Sequence, residues 1–279
     1  MQNTPVTEQS ERNISILGCG WLGLPLAEYL ISKKYKVKGS SRSREKFQTL
    51  EKAGIQPFVV DLSNDIPIEN EFLSSQILIL NIPPGIRKRP VGSHLEELQH
   101  LFDQMQENRP SKMIYVSSTS IYTDNSMEVY EEDADLSSPM YKIEEKISDA
   151  CDRLNIELTI VRCGGLMGYG RIPCKYYSGK KNLELDNTPV NYIFRDDVIG
   201  ILTAIIEKNS WGKVYNAVAP QKPLRYEVIE NCCARTEYVM PTFAKQADEM
   251  PPFKTINSGK VKEQLHYDFK YPDPLRFPY

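Results

Sequence analysis

The sequence predicts an α/β fold, a doubly wound parallel sheet with a small C-terminal lobe. Two features carry this expectation. Residues 14–30, ISILGCGWLGLPLAEYL, read as a buried strand, a glycine turn and an amphipathic helix in direct succession. Short apolar runs then alternate with helix-period stretches as far as about residue 170, the rhythm of parallel strands joined by crossover helices.

Each element has a local reason. Ile14, Ile16 and Leu17 make the first strand, and Leu22, Leu26, Ala27 and Leu30 share one face of the helix after it. Tyr35–Gly39 is the second strand, Arg44–Ala53 a short helix and Pro57–Leu62 the third strand. Ile77–Pro83 is the fourth, apolar on both faces as a central parallel strand should be. His94–Asn108 carries Leu95, Leu98, Leu101, Phe102 and Met105 at helical spacing. Lys112–Ser118 is the fifth strand, Met140–Leu154 a helix and Leu158–Arg162 the sixth strand. Beyond residue 170 the rhythm breaks. Asp196–Lys208 reads as a helix that Asp196 and Asp197 cap, Val214–Val218 as a strand, and Pro223–Arg235 and Ser258–Leu265 as short helices.

Composition narrows the function. The 279 residues are 41% hydrophobic and carry a net charge of −3 with mixed signs, so no basic field favours nucleic acid. No apolar run approaches the ~20 residues that span a bilayer. The first dozen residues, MQNTPVTEQSER, lack the apolar core of a secretory signal, which leads us to expect a cytoplasmic protein. Its six cysteines, Cys19, Cys151, Cys163, Cys174, Cys232 and Cys233, are then expected as reduced thiols, with Cys19 a small filler. No C-x-x-C pair occurs and only three histidines are present, so no metal site is expected.

Gly18, Gly20 and Gly23 stand in G-x-G-x-x-G spacing between strand and helix, the context that makes the motif a dinucleotide signature. Gly18 permits the turn, Gly20 lets the backbone approach a pyrophosphate, and Gly23 lets helix and strand pack closely. Trp21 and Leu22 then offer backbone amides to the phosphates at the helix N-terminus. A tight turn without a ligand is the rival reading. At the end of the second strand, NAD-preferring folds place a carboxylate on the ribose. Here Ser41, Arg42 and Arg44 stand instead, which suits the 2′-phosphate of NADP, with Ser41 and Arg42 as first contacts. Asp61, beside Leu62, is a candidate acceptor for the adenine amine, and Asn81, Ile82 and Pro83 would flank the ribose and pyrophosphate. The expected division is a disordered tail over 1–12, a Rossmann domain over 13–170 to which 190–218 returns, and a substrate lobe over 171–189 and 219–279.

With VSSTSIY (Val116–Tyr122), VRCGGLMGYGR (Val161–Arg171), IFRDDV (Ile193–Val198) and KVYNAVAP (Lys213–Pro220), these residues resemble the extended short-chain dehydrogenase/reductase family, the NAD(P)-dependent epimerase/dehydratase group. The GWLG loop and the ending YPDPLRFP resemble its small atypical YeeZ-like bacterial members. The resemblance implies an upstream hydroxyl, a general acid/base tyrosine and a lysine four residues later in Y-x-x-x-K. Ser118 fits the hydroxyl and Tyr141 the tyrosine, with Tyr122 a packing residue. The fourth residue after Tyr141 is Glu145, and Lys146 follows it. At about 100° per residue, Lys146 projects off the face where the family places its lysine. Either a helix irregularity brings Lys146 into line or the site is degenerate. The rival reading of this segment is a surface helix laced with charge: Lys142, Glu144, Glu145 and Lys146. Arg87 is a candidate contact for an anionic substrate group, with a solvated loop as the rival reading, and the resemblance implies the same contact for Arg171.

The function expected is an NADP-preferring oxidoreductase or epimerase acting on a small-molecule carbinol or sugar-like substrate. The alternative is a non-catalytic NADP-binding sensor. The loop GCGWLGLPLAEYL also resembles that of β-hydroxyacid dehydrogenases, but the all-helical C-terminal domain of that family is not legible after Lys208. Members of the epimerase group often form homodimers through helices corresponding to His94–Asn108 and Met140–Leu154.

Overall fold

The structure, a computed structural model, describes residues 13–64, 66–86, 88–184, 187–244 and 250–279. The expected tail over 1–12 lies outside the described residues. The backbone gathers into two compact units, one of residues up to 115 with 146–158, the other of 116–145 with 159–279.

The first unit begins with strand β1 (Asn13–Leu17) and helix α1 (Gly23–Ser32), followed by β2 (Lys36–Ser41), α2 (Phe47–Lys52) and β3 (Gln56–Val59). Helix α3 (Asn70–Leu73), β4 (Ile77–Leu80) and α4 (Val91–Asp103) complete the run. All four residues of β4 are buried, as expected of an apolar strand flanked by neighbours on both edges. Leu26, Ala27 and Leu30 of α1 are fully buried, which is the face their spacing defines. Ser15 is the polar exception in β1. Its hydroxyl donates to the Phe72 carbonyl at 2.6 Å and also meets the Ser75 hydroxyl, so burial leaves it satisfied.

Strand β5 (Lys112–Ser118), helix α5 (Pro139–Leu154) and β7 (Glu157–Cys163) run across the division between units. The second unit adds β6 (Met127–Val129), β8 (Gly165–Met167), β9 (Tyr192–Phe194), α6 (Arg195–Glu207), β10 (Val214–Ala217), α7 (Arg225–Ala234), β11 (Lys254–Ile256) and α8 (Gly259–Leu265). The central sheet is parallel, with seven strands in the order β10-β7-β5-β4-β1-β2-β3. The direction of winding reverses between β1 and β4, and ligand crevices of doubly wound sheets open beyond the strand ends at such a point. Two further parallel pairs, β6 with β11 and β8 with β9, lie in the second unit. At three residues each, these strands are too short for an alternation to show in sequence, and all four were missed. No helix of the described residues is long and apolar enough to cross a membrane.

The structure departs from the sequence expectations at three places. Arg44–Lys46 is a 3-10 turn rather than the start of a helix. Asp196 and Asp197 do not cap α6, because Phe194 holds the cap position. Asp197 is instead buried, and its carboxylate accepts from the Tyr267 hydroxyl at 2.9 Å and from the Lys270 and Tyr271 amides at 2.7 and 3.0 Å, pinning the C-terminal segment. Third, Cys174 and Cys232 are joined by a disulfide across 58 residues of sequence, where thiols were expected. The reason is tertiary: the 3-10 turn at Cys174–Tyr176 packs on α7, a contact that sequence spacing cannot announce.

Candidate functional site

Beyond the end of β1 the chain turns at Gly18, whose φ of +107° is a conformation that side chains disfavour. A Cβ there would lie 2.4 Å from the Asn81 carbonyl. At Gly23 it would lie 2.2 Å from the Gly18 carbonyl, so α1 starts in direct contact with the turn. At Gly20 a Cβ would meet nothing within 4 Å. The three glycines therefore differ: two are demanded by the packing of the chain itself, and one borders open space in front of the helix.

The loop is bolted from behind. The Gly18 amide donates to the Ser40 hydroxyl at 2.9 Å, the Cys19 amide to the Ser40 carbonyl at 3.2 Å, and the Asn81 side-chain amide to the Gly18 carbonyl at 3.0 Å. Asn81 is thus placed at the turn, where it fixes backbone, with Ile82 and Pro83 following it at the end of β4. Cys19 is buried, and burial pushes its thiol up to about 12, in keeping with a filler. Leu22 and Gly23 carry the first amides of α1, and Trp21 precedes them.

Ser41 ends β2, and Arg42 follows it on the surface. Asp61 lies beside Leu62 within the field of Arg42, and its carboxylate accepts from the Ser63 amide and hydroxyl and from Asn64. These hydrogen bonds, led by the Ser63 hydroxyl, hold Asp61 below the usual carboxylate range. Arg44 is exposed in the 3-10 turn after β2. Arg87 lies outside the described residues.

In the second unit, Ser118 ends β5 and accepts from the Ser120 amide at 3.1 Å. Tyr141 lies in the first turn of α5 and is partly exposed, and Glu145 is exposed. Helix α5 is uninterrupted, and the Lys146 ammonium donates to the Gln99 side chain of α4. The irregularity that would realign Lys146 is therefore absent. Arg171 pairs through its backbone with Gly168 at 2.9 and 3.0 Å, closing the turn that carries Tyr169.

A buried polar network was not foreseen. Glu144 is 4% and Arg162 5% exposed, and the guanidinium contacts both carboxylate oxygens at 2.7–3.2 Å. The Ser117 hydroxyl donates to Glu144 at 2.5 Å. Arg162 also donates to the Tyr122 hydroxyl at 2.9 Å, and that hydroxyl donates to Asn216 at 2.6 Å. Burial, partly offset by Arg162, pushes the Tyr122 phenol up to about 12. Tyr122 is thus a hydrogen-bonded member of the interior rather than a packing residue, and Glu144 is no part of a surface charge run. One signal was readable: Arg162 stands alone in the apolar strand LTIVRC, and a buried guanidinium demands a carboxylate.

Comparisons with known proteins give the family and the fold. An NAD(P)H-binding family matches residues 18–209. Protein YeeZ of Escherichia coli strain K12 is 27% identical over 277 residues, covering 96% of this chain and 99% of that protein. The human epimerase family protein SDR39U1, solved with NADPH, superposes with a TM-score of 0.68 at 18% identity over 94% of this chain and 96% of that one. UDP-glucose 4-epimerase from Thermotoga maritima, solved with UDP-glucose, gives 0.75 at 16% identity over 92% and 94%. The chain belongs to the NAD(P)H-binding family and has the fold of the epimerases and short-chain dehydrogenases.

Proposed function

We propose that this chain is an NADP-preferring oxidoreductase or epimerase of the short-chain dehydrogenase type acting on a small carbinol or sugar-like substrate. The observation that carries the reading is the glycine loop, rigid at Gly18 and Gly23 and open at Gly20. Backbone can approach a diphosphate closely only where a side chain is missing. The loop fits the coenzyme: Gly20, Trp21, Leu22 and Gly23 would hold the diphosphate, while Ser41 and Arg42 would take the 2′-phosphate. Asp61, Leu62, Asn81, Ile82 and Pro83 would border the adenosine half. The coenzyme, when bound, supplies a hydride acceptor or donor at its nicotinamide ring.

In this reading Ser118 holds the substrate oxygen and Tyr141 exchanges a proton with it. Arg171 and Arg87 would receive an anionic substrate group. A cytoplasmic location would set the Cys174–Cys232 link against a reducing thiol pool, and a homodimer through α4 and α5 is testable by light scattering.

A specific observation favours a second reading, a coenzyme sensor without catalysis. Lys146 is engaged with Gln99, and the residue four after Tyr141 is a carboxylate, so the tyrosine has no cation one turn along its helix. A phenol is a poor base at neutral pH without a cation that stabilises its phenolate.

Calorimetric titration with NADPH and NADH tests the coenzyme. NADPH is expected to bind more tightly, with Arg42→Ala removing most of the difference; tighter NADH binding overturns the role given to Ser41 and Arg42. For the chemistry, Tyr141→Phe should abolish turnover while NADPH affinity stays unchanged. Full turnover in that variant would remove Tyr141 from the mechanism.

A further inference from the structure

Arg89, in the loop between β4 and α4, folds back over its own segment. Its Nε donates to the Pro84 carbonyl at 3.0 Å. The Lys88 and Arg89 amides both donate to the Gly85 carbonyl, at 2.8 and 3.2 Å, and Gly85 takes a φ of +66°, so residues 85–89 form a closed turn. The outer nitrogens of the guanidinium reach α4. Both meet the Glu97 carboxylate, Nη2 at 2.7 Å, and Nη2 also lies 3.2 Å from His94 Nδ1. One side chain thus ties the turn after Pro84 to a helix.

His94 completes the clasp. It stands three residues before Glu97 on the same helix face, fully buried, with Nδ1 3.0 Å from the carboxylate. Its Nε2 is buried with no hydrogen-bond partner among the described residues. A proton on Nε2 would be a donor without an acceptor, so the network assigns the proton to Nδ1, which donates to Glu97. The charged groups that face the ring are Glu97 and Arg89. A second proton would go to the unmet Nε2 and would set a new cation 3.2 Å from the Arg89 guanidinium. The neutral ring is therefore the form that holds the clasp.

The near end of the same segment is fixed to the glycine turn. The Asn81 amide donates to the Leu17 carbonyl at 2.9 Å and its side-chain amide to the Gly18 carbonyl at 3.0 Å. The Ile82 side chain packs so close that a Cβ at Gly18 would lie 3.2 Å from it. Between the two anchors stand Pro83 and Pro84, which have no N–H with which to fix themselves.

We propose that Arg89 is a positioning residue for the coenzyme: with Glu97 and His94 as its anchor on α4, it holds Ile82 and Pro83 in the place where they border the bound molecule, and protonation of His94 releases that hold. This rests on the coenzyme reading given above. Arg89 itself touches no part of the coenzyme, because its donors are spent on Pro84, Glu97 and His94.

Titration calorimetry of the full chain with NADPH and NADH tests this, with each variant compared where its urea curve shows it fully folded. Arg89→Met is expected to weaken both coenzymes by the same factor, about tenfold, the scale of one lost charge-assisted hydrogen bond. Arg42→Ala, by contrast, should act on NADPH alone. Lys88→Met, which removes an exposed cation one residue away, should leave both affinities unchanged. The pH profile is read with NADH, which lacks the 2′-phosphate and its own titration near about pH 6. Burial keeps the folded imidazole below its ordinary 6.5, so the clasp is complete above about 6.5 and is lost as pH falls toward the lowered value. Over that fall the NADH affinity of the wild-type chain should drop several-fold relative to His94→Gln. If Arg89→Met does not fold, Glu97→Gln takes its place and should weaken both coenzymes by a smaller common factor. Unchanged affinity in Arg89→Met, a loss confined to NADPH, or a wild-type profile no steeper than that of His94→Gln overturns the proposal alone. A wild-type chain that binds neither coenzyme overturns the coenzyme reading, and this inference with it.

Discussion

Gly20 and Gly23 separate two reasons for a glycine. At Gly23 a methyl group would lie 2.2 Å from a backbone oxygen, so Gly23→Ala must displace α1 or the turn. A cost of about 1–3 kcal/mol is expected, as for other overpacked sites, read as a lower urea midpoint. Gly20→Ala meets no atom of the chain and should leave that midpoint unchanged while weakening NADPH binding several-fold. An equal loss of stability in both variants would remove the argument from the loop. His94 gives a pH signature. It is fully buried, and burial, outweighing the attraction of Glu97, lowers its imidazole below the ordinary 6.5. The folded chain therefore binds this proton less tightly than the unfolded chain. The stability this contributes is complete above about 6.5 and is lost as pH falls toward the lowered folded value. His94→Gln should flatten the difference in urea midpoint across that window.

At the scale of elements, α5 shows how a helix is fixed by charge that its sequence does not advertise. Glu144 binds it to β7 through Arg162, and Ser117 of β5 donates to the same carboxylate. Removing one member leaves a buried charge unpaired, so Glu144→Ala is expected to cost about 3–5 kcal/mol. The double variant Glu144→Leu with Arg162→Met should recover much of that, since an apolar pair replaces an ionic one at little net cost. A double variant as unstable as the sum of the singles would show that the network acts otherwise. The same regularity of α5 keeps Lys146 off the Tyr141 face. Because α5 is unbroken, the lysine stays with Gln99.

For the molecule as a whole, the Cys174–Cys232 link closes 58 residues of the second unit. Constraint of the unfolded chain by a loop of that length is worth about 4 kcal/mol in the chain-entropy treatment. Reduction with dithiothreitol, or the pair Cys174→Ser with Cys232→Ser, is therefore expected to lower the unfolding midpoint, and an unchanged midpoint would show that the link carries no stability.

What was legible in the sequence followed from local rules. The alternation of apolar strands with amphipathic helices gave the doubly wound sheet, because a strand's burial and a helix's face are written in residues a few positions apart. The glycine loop was legible for the same reason, since strand, turn and helix are contiguous over residues 14–30. Tertiary structure alone decided the partners of Arg162, the burial of Glu144 and the anchoring role of Asp197. It also decided the cysteine link. Each of these joins residues distant in the chain, and a buried charge or thiol acquires its meaning only from the group that folding brings against it.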